Sequence, residues 1–162
     1  MKGFLTVLSI TFLALAGRLN AGELNAADLA RALGVDWWTV EVPKGDGDTV
    51  SLGFCMVFSD GRKEMSGTMS GFRPGTRIRA FCWPSDRPGM LNVSLISGTG
   101  GRLATSLRDP FGQGGSIMTY AVPVGGIAKT GEILRKGSTA AQIASDQTLK
   151  DGDFGLMVVV GR

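Results

Sequence analysis

Residues 49–58 read TVSLGFCMVF, and this stretch decides the fold. Val50, Leu52, Phe54, Met56 and Phe58 recur at every second position, with Ser51, Gly53, Cys55 and Val57 between them. Successive side chains of an extended chain point to opposite faces, so a period of two collects the five large apolar groups on one side of a strand. Turn chemistry bounds the stretch at both ends. Pro43 and Lys44–Asp48 (KGDGD) precede it, and Ser59-Asp60-Gly61 follows. The weaker run from Arg62 to Ser70 then reads as its hairpin partner.

Working outward, the same period recurs. In Trp37 to Val42, Trp38, Val40 and Val42 share one side and Trp37, Thr39 and Glu41 the other. Phe72–Gly75 (FRPG) turns the chain into Thr76–Trp83, where Ile78, Ala80 and Cys82 oppose Arg77, Arg79, Phe81 and Trp83. Further strands are predicted at Met90–Ser97, Arg102–Leu107, Ser116–Val124, Ile127–Arg135 and Phe154–Val160. The last of these (FGLMVVV) is apolar on both faces, which predicts a central place in a sheet.

Two short helices complete the reading. Asn25–Gly34 (NAADLARALG) has a capping Asn25, Asp28 in the first turn, Leu29 and Leu33 on one face, and a terminating Gly34. It is expected to dock on the sheet. Thr139-Ala140-Ala141-Gln142 matches a capping box and predicts the second helix. The expected fold is therefore all-β: an antiparallel β-sandwich or barrel of about eight to nine strands with one or two short helices. No long helix separates parallel strands, which argues against a doubly wound α/β fold.

The first residues have the three parts of a secretory signal. Lys2 gives the positive start, Phe4–Leu15 (FLTVLSITFLAL) is uncharged, and Ala14 and Ala16 bracket one position in the A-x-A pattern. Residues 1–21 are thus expected to be a signal peptide, cut after Ala16 or Ala21, leaving 22–162 as a single β-rich domain. The apolar run is shorter than the roughly 20 residues a membrane-crossing helix needs, so no transmembrane segment is expected after cleavage. Periplasmic or extracellular localisation follows. In such a compartment Cys55 and Cys82, the only cysteines, are expected to form a disulfide.

Of the whole chain, 43% is hydrophobic and 19% charged, which suits a folded domain. The formal charge of +3 shrinks with the signal. Loss of Lys2 alone takes 17 basic residues to 16, against 14 acidic. That balance is no footprint for nucleic acid.

The chain has no histidine, which removes Ser-His-Asp and Cys-His machinery, His-ligated zinc and an imidazole pH switch. No S-x-x-K motif accompanies its lysines. Glu41, Glu64 and Glu132 lie on predicted strands and are the candidates for a carboxylate pair, as in glycoside cleavage. The turns Asp46-Gly47-Asp48 and Asp151-Gly152-Asp153 resemble calcium loops only in composition, and turn chemistry explains them. The runs Gly98–Gly101 and Gly112–Gly115 lead into predicted strands without a G-K-[ST], so they read as hairpin connections. No catalytic residue, metal site or cofactor is assigned.

The residues with most to offer lie on the Thr76–Trp83 strand. Arg77, Arg79, Phe81 and Trp83 share the face opposite the expected core, and Trp37 extends it if its strand lies alongside. Aromatic rings beside guanidinium groups stack on sugars or dock an acidic protein surface. The expectation is an exported, non-enzymatic binding or envelope-assembly module, with a carboxylate-dependent hydrolase of extracellular or cell-wall glycans as the alternative.

Overall fold

The computed structural model describes residues 30, 32–45, 47–98 and 100–161. The expected signal peptide and residues 25–29 and 31 of the Asn25–Gly34 helix lie outside the described residues; Gly34 takes φ +65°, while Leu33 is 66% exposed and is not docked on the sheet. Within them, ten strands run β1 (Asp36–Glu41), β2 (Val50–Phe58), β3 (Lys63–Phe72), β4 (Arg77–Pro84), β5 (Met90–Ser97), β6 (Arg102–Arg108), β7 (Ile117–Tyr120), β8 (Ile127–Lys129), β9 (Ile133–Ser138) and β10 (Asp153–Val160). They form two five-stranded sheets. The first has the order β6-β5-β4-β1-β8 and the second β3-β2-β10-β9-β7. Every pairing is antiparallel except β1 with β8. The molecule is a β-sandwich.

The period-two pattern supplies its core. Leu52, Phe54 and Met56 of β2 face Trp38 and Val40 of β1, Ile78, Ala80 and Cys82 of β4, and Leu91, Val93 and Leu95 of β5 in one cluster. From β10, Phe154, Leu156 and Val158 join them. Each large apolar side chain fully withdrawn from water stabilises the fold by roughly 1.5–3 kcal/mol before entropy is counted. Trp38 is wholly buried, and its indole N–H donates to Val122 O at 3.0 Å, so the ring leaves no polar atom unpaired. The apolar strand β10 lies between β2 and β9, at the centre of its sheet.

Four expectations about strands, loops and helices need correction. The run Ile127–Arg135 is two strands in different sheets, which raises the count from nine to ten. A turn at Thr130–Glu132 divides it: Gly131 takes φ +86°, its N–H bonds Val158 O at 2.7 Å, and Glu132 N–H bonds Lys129 O. The strand at Ser116–Val124 is only Ile117–Tyr120, because Ala121 and Val122 both direct their N–H groups to Leu134 O and Pro123 has none to give. The Gly112–Gly115 run carries the chain from β6 in one sheet to β7 in the other and is no hairpin, unlike Gly98–Gly101 between β5 and β6.

The fourth concerns the capping box at Thr139–Gln142, where no helix forms. Residues 139–152 instead form an irregular strap across the outer side of β9 and β10. Thr139 is drawn back to Gly152 by its N–H, and Ala140 N–H bonds Ser138 Oγ, which takes the first residues out of helical geometry. Gln147 then acts as a missing strand residue. Its amide accepts from Ile133 N–H at 2.6 Å and donates to Ile133 O at 3.1 Å, where β7 has already ended.

Under the strap lies a buried ion cluster. The Lys136 side chain is 0% exposed, and its ammonium meets Asp153 at 3.2 Å, Asp146 at 3.1 Å and the Thr148 carbonyl. Three acceptors for three N–H groups satisfy the ammonium completely. Burial pushes the Asp153 carboxyl up, but hydrogen bonds from Ser138, Lys150 N–H and Lys136 outweigh it and hold it below its ordinary value. Asp146 is also lowered, first by its hydrogen bond from Lys136.

The expected disulfide is absent, and both cysteines are free thiols. Cys82 points into the core from β4 in the first sheet, whereas Cys55 lies on the outer side of β2 in the second, paired across from Met157 and Met65. They occupy different sheets and opposite sides of the sandwich wall. No bond between them fits this register.

Candidate binding surface

The outer face of the first sheet carries the aromatic and arginine residues. Antiparallel pairing sets Trp37 across from Phe81, Thr39 from Arg79 and Glu41 from Arg77. On the other flank of β4, Phe81 pairs with Ser94 and Trp83 with Asn92. Residues paired across neighbouring strands share a face. The five residues singled out from sequence, Trp37, Arg77, Arg79, Phe81 and Trp83, therefore stand together on one surface. Ile96 of β5, Arg102 and Arg108 of β6, and Ile127 and Lys129 of β8 extend it.

Trp37, Phe81 and Trp83 are each partly exposed, and Ile127 is 54% exposed. The Arg79 guanidinium lies 6.0 Å from the centre of the Trp37 ring, within cation–π range. Arg77 is neutralised by Glu41 at 2.9 Å, and Arg108 reaches Glu64 at 4.0 Å. Arg79 and Arg102 pair with no carboxylate among the described residues, so the face is net positive. Between Phe81, Trp83, Ile96 and Arg102 the small Ser94 leaves a shallow depression of about 240 Å³. Ser94 Oγ is buried there without a hydrogen-bond partner, alone in this among buried side-chain N and O atoms of the described residues.

A second concavity opens at the end of the sandwich, beside Trp37, with a volume of about 830 Å³. Its polar groups come from both sheets. Asp36 opens β1 and pairs with Cys82, which places it on the inner side of the first sheet. Tyr120 and Arg135 are paired with each other on the inner side of the second. Across the gap, Tyr120 OH donates to Asp36 Oδ1 at 2.9 Å and Arg135 Nη1 to Asp36 Oδ2 at 3.5 Å. Arg135 also stacks over Phe111 at 4.3 Å and directs Nε to the Met118 sulfur. Trp37, Pro84, Pro123 and Val124 supply apolar walls, and Ser145 of the strap lines the cleft as well.

Two ionisations at this end are displaced. Burial, then the hydrogen bond to Asp36 and its charge, push the Tyr120 phenol up to about 12. Burial likewise pushes the Cys82 thiol up to about 12, against the opposing pull of Arg135. Both groups are therefore neutral at physiological pH, and neither is a nucleophile there.

Sequence reading missed Asp36, Tyr120 and Arg135 because they come together only when the two sheets stack. One signal was present: Tyr120 is the sole tyrosine. The three glutamates considered for acid–base chemistry are spent separately, Glu41 on Arg77, Glu64 on Arg62 and Arg108, and Glu132 on Lys129 N–H. Among the described residues no group of three or more His, Cys, Asp or Glu side chains is arranged to hold a metal ion. No helix among them is long and apolar enough to cross a membrane. No known family, curated protein or solved structure matches the chain.

Proposed function

We propose that this protein is a non-catalytic binding module that acts outside the cytoplasm and holds a glycan on the outer face of its first sheet. One observation carries the reading: three partly exposed aromatic rings, Trp37, Phe81 and Trp83, share a face with arginines that have no carboxylate partner among the described residues. Rings held on paired strands are pre-ordered, so stacking on the apolar face of a sugar costs little further entropy. Guanidinium groups donate to hydroxyl and carboxylate oxygens alike. The positive balance of Arg79, Arg102 and Lys129 favours acidic polysaccharides over neutral ones. Action outside the cytoplasm rests on the signal-like residues 1–21.

The hydrolase alternative has less support. That chemistry needs two carboxyl groups facing each other across a cleft. The end cleft contributes one, Asp36, and no second carboxyl group is among the residues that line it.

The test is affinity electrophoresis and calorimetry against purified acidic and neutral polysaccharides, with Trp83→Ala and Arg79→Ala compared to the parent. Binding to an acidic polysaccharide is expected, weakened by roughly 10-fold in each variant and by added salt. Variants that stay folded and bind as well as the parent would falsify the assignment of the face. Retention of acidic proteins with no polysaccharide binding would overturn the glycan reading itself.

A further inference from the structure

We infer that the cleft at the end of the sandwich is a seat for one neutral sugar ring, recognised through a pair of adjacent hydroxyl groups. The inference rests on the glycan reading above and adds a site and a chemistry to it.

The cleft falls in the size range of small-molecule sites, about 300–1,000 Å³. It joins apolar walls to a floor with one acid and one base, both largely withdrawn from water: the Asp36 side chain is 18% exposed and that of Arg135 15%. Their mutual hydrogen bond is long, at 3.5 Å, where a well-formed charge-assisted contact lies nearer 2.7–2.9 Å. The other partner of Asp36 Oδ2 is the Cys82 thiol at 3.9 Å, a weak donor. Arg135 spends Nε on a thioether sulfur, and its other polar contacts at this end are the long bond to Asp36 and the Cys82 thiol. A strong acceptor thus lies beside strong donors, each held only by long or weak partners.

That combination selects the ligand. A simple anion meets the Asp36 carboxylate, and a simple cation meets Arg135, so neither is favoured. Two adjacent hydroxyl groups match both: one donates to Asp36 Oδ2 while its neighbour accepts from Arg135. Each hydroxyl can give and take at once, so the two contacts polarise each other. Tyr120 supports the arrangement by holding Asp36 Oδ1, which fixes the direction of Oδ2. Trp37 offers a ring for the apolar face of the sugar and belongs to both the cleft and the sheet face. A glycan lying on the outer sheet can therefore turn its end into the cleft past one shared aromatic ring.

The experiment is a two-dimensional amide NMR titration with methyl pyranosides, free inositol and singly deoxygenated sugars. Three variants accompany it. Asp36→Asn alters the floor, Ser145→Trp fills part of the cleft from the strap, and Arg102→Ala alters only the outer face, at the far edge of the sheet from Trp37. A saturable shift is expected at Asp36, Trp37, Tyr120 and Arg135. It should weaken by about 10-fold in Asp36→Asn and in Ser145→Trp and survive in Arg102→Ala. Removal of either matched hydroxyl should abolish it. Polysaccharide binding that persists while no monosaccharide moves the cleft resonances overturns this inference and leaves the sheet-face reading standing. Shifts that survive Ser145→Trp overturn it as well. A cleft that binds monosaccharides in a protein that holds no polysaccharide supports the seat and sinks the sheet-face reading.

Discussion

Replacing Lys136 by methionine tests whether the ion cluster under the strap holds the second sheet together. Methionine keeps most of the side-chain length and removes the ammonium. Asp153, 4% exposed, then keeps a buried carboxylate whose closest cation is gone. Removing one partner from a buried pair costs about 3–5 kcal/mol. Ser138 and Lys150 N–H still bond Asp153, which places the expectation near 3 kcal/mol at the lower end of that range. With a urea m-value of about 2 kcal/mol/M, the midpoint should fall by roughly 1.5 M. Asp146→Asn should fall less than Lys136→Met, because its side chain is half exposed.

The pH dependence has a definite sign. Both carboxyl groups titrate below their unfolded value of about 3.9, so their contribution is present above that pH and is lost as the pH drops through the folded values. The gap between parent and variant should therefore close in acid. Urea unfolding followed by tryptophan fluorescence at neutral and acidic pH measures both effects. A midpoint shift under about 0.3 M at neutral pH, or a gap that widens in acid, would refute the reasoning.

The cysteines give a second test. A thiol-specific chromogenic reagent should label none in the native protein and two per chain after denaturation without reductant; no label in that second step would restore the disulfide. Ultraviolet titration of the single tyrosine should show Tyr120 ionising near 12, and Asp36→Asn should lower that value while burial keeps it above about 10. The neutral phenol stabilises the fold fully below about pH 10, and this contribution fades as pH climbs toward the folded value. An ordinary titration in the folded protein would show that water reaches Tyr120 at the end of the sandwich. Gly137→Ala places a methyl group against the rings of Phe154 and Phe111, which meet at a tilt with centroids 5.1 Å apart, and should cost about 1–3 kcal/mol by overpacking. An unchanged urea midpoint would mean that the rings can give way.

Strand positions were legible because each follows from its own neighbours along the chain. Alternation in Val50–Phe58 and Arg77–Trp83 names the inner face without any knowledge of the partner strand, and the aromatic–arginine face came with it. What alternation cannot supply is which sheet a strand joins. Ile127–Arg135 reads as one strand because nothing local reveals that its two ends pair in opposite layers. The capping box at Thr139 failed for a related reason: distant groups on Gly152 and Lys136 claimed the strap. Compartment chemistry suggested the disulfide, yet the face of Cys55 on its own strand already stood against it. The cleft groups Asp36, Tyr120 and Arg135 are separated widely in sequence and meet only across the sandwich gap, so periodicity had nothing to say about them.

The central place of β10 sets the order of events during synthesis. Strands β2 and β3 can form a hairpin early, but their layer has no middle until Asp153–Val160 emerges. At ~5–20 residues per second the wait is on the order of 5–20 s, with one hydrogen-bonding edge of β2 unpaired throughout. A ribosome that stalls shortly before residue 153 therefore yields a chain that cannot close, rather than a slightly shortened native protein.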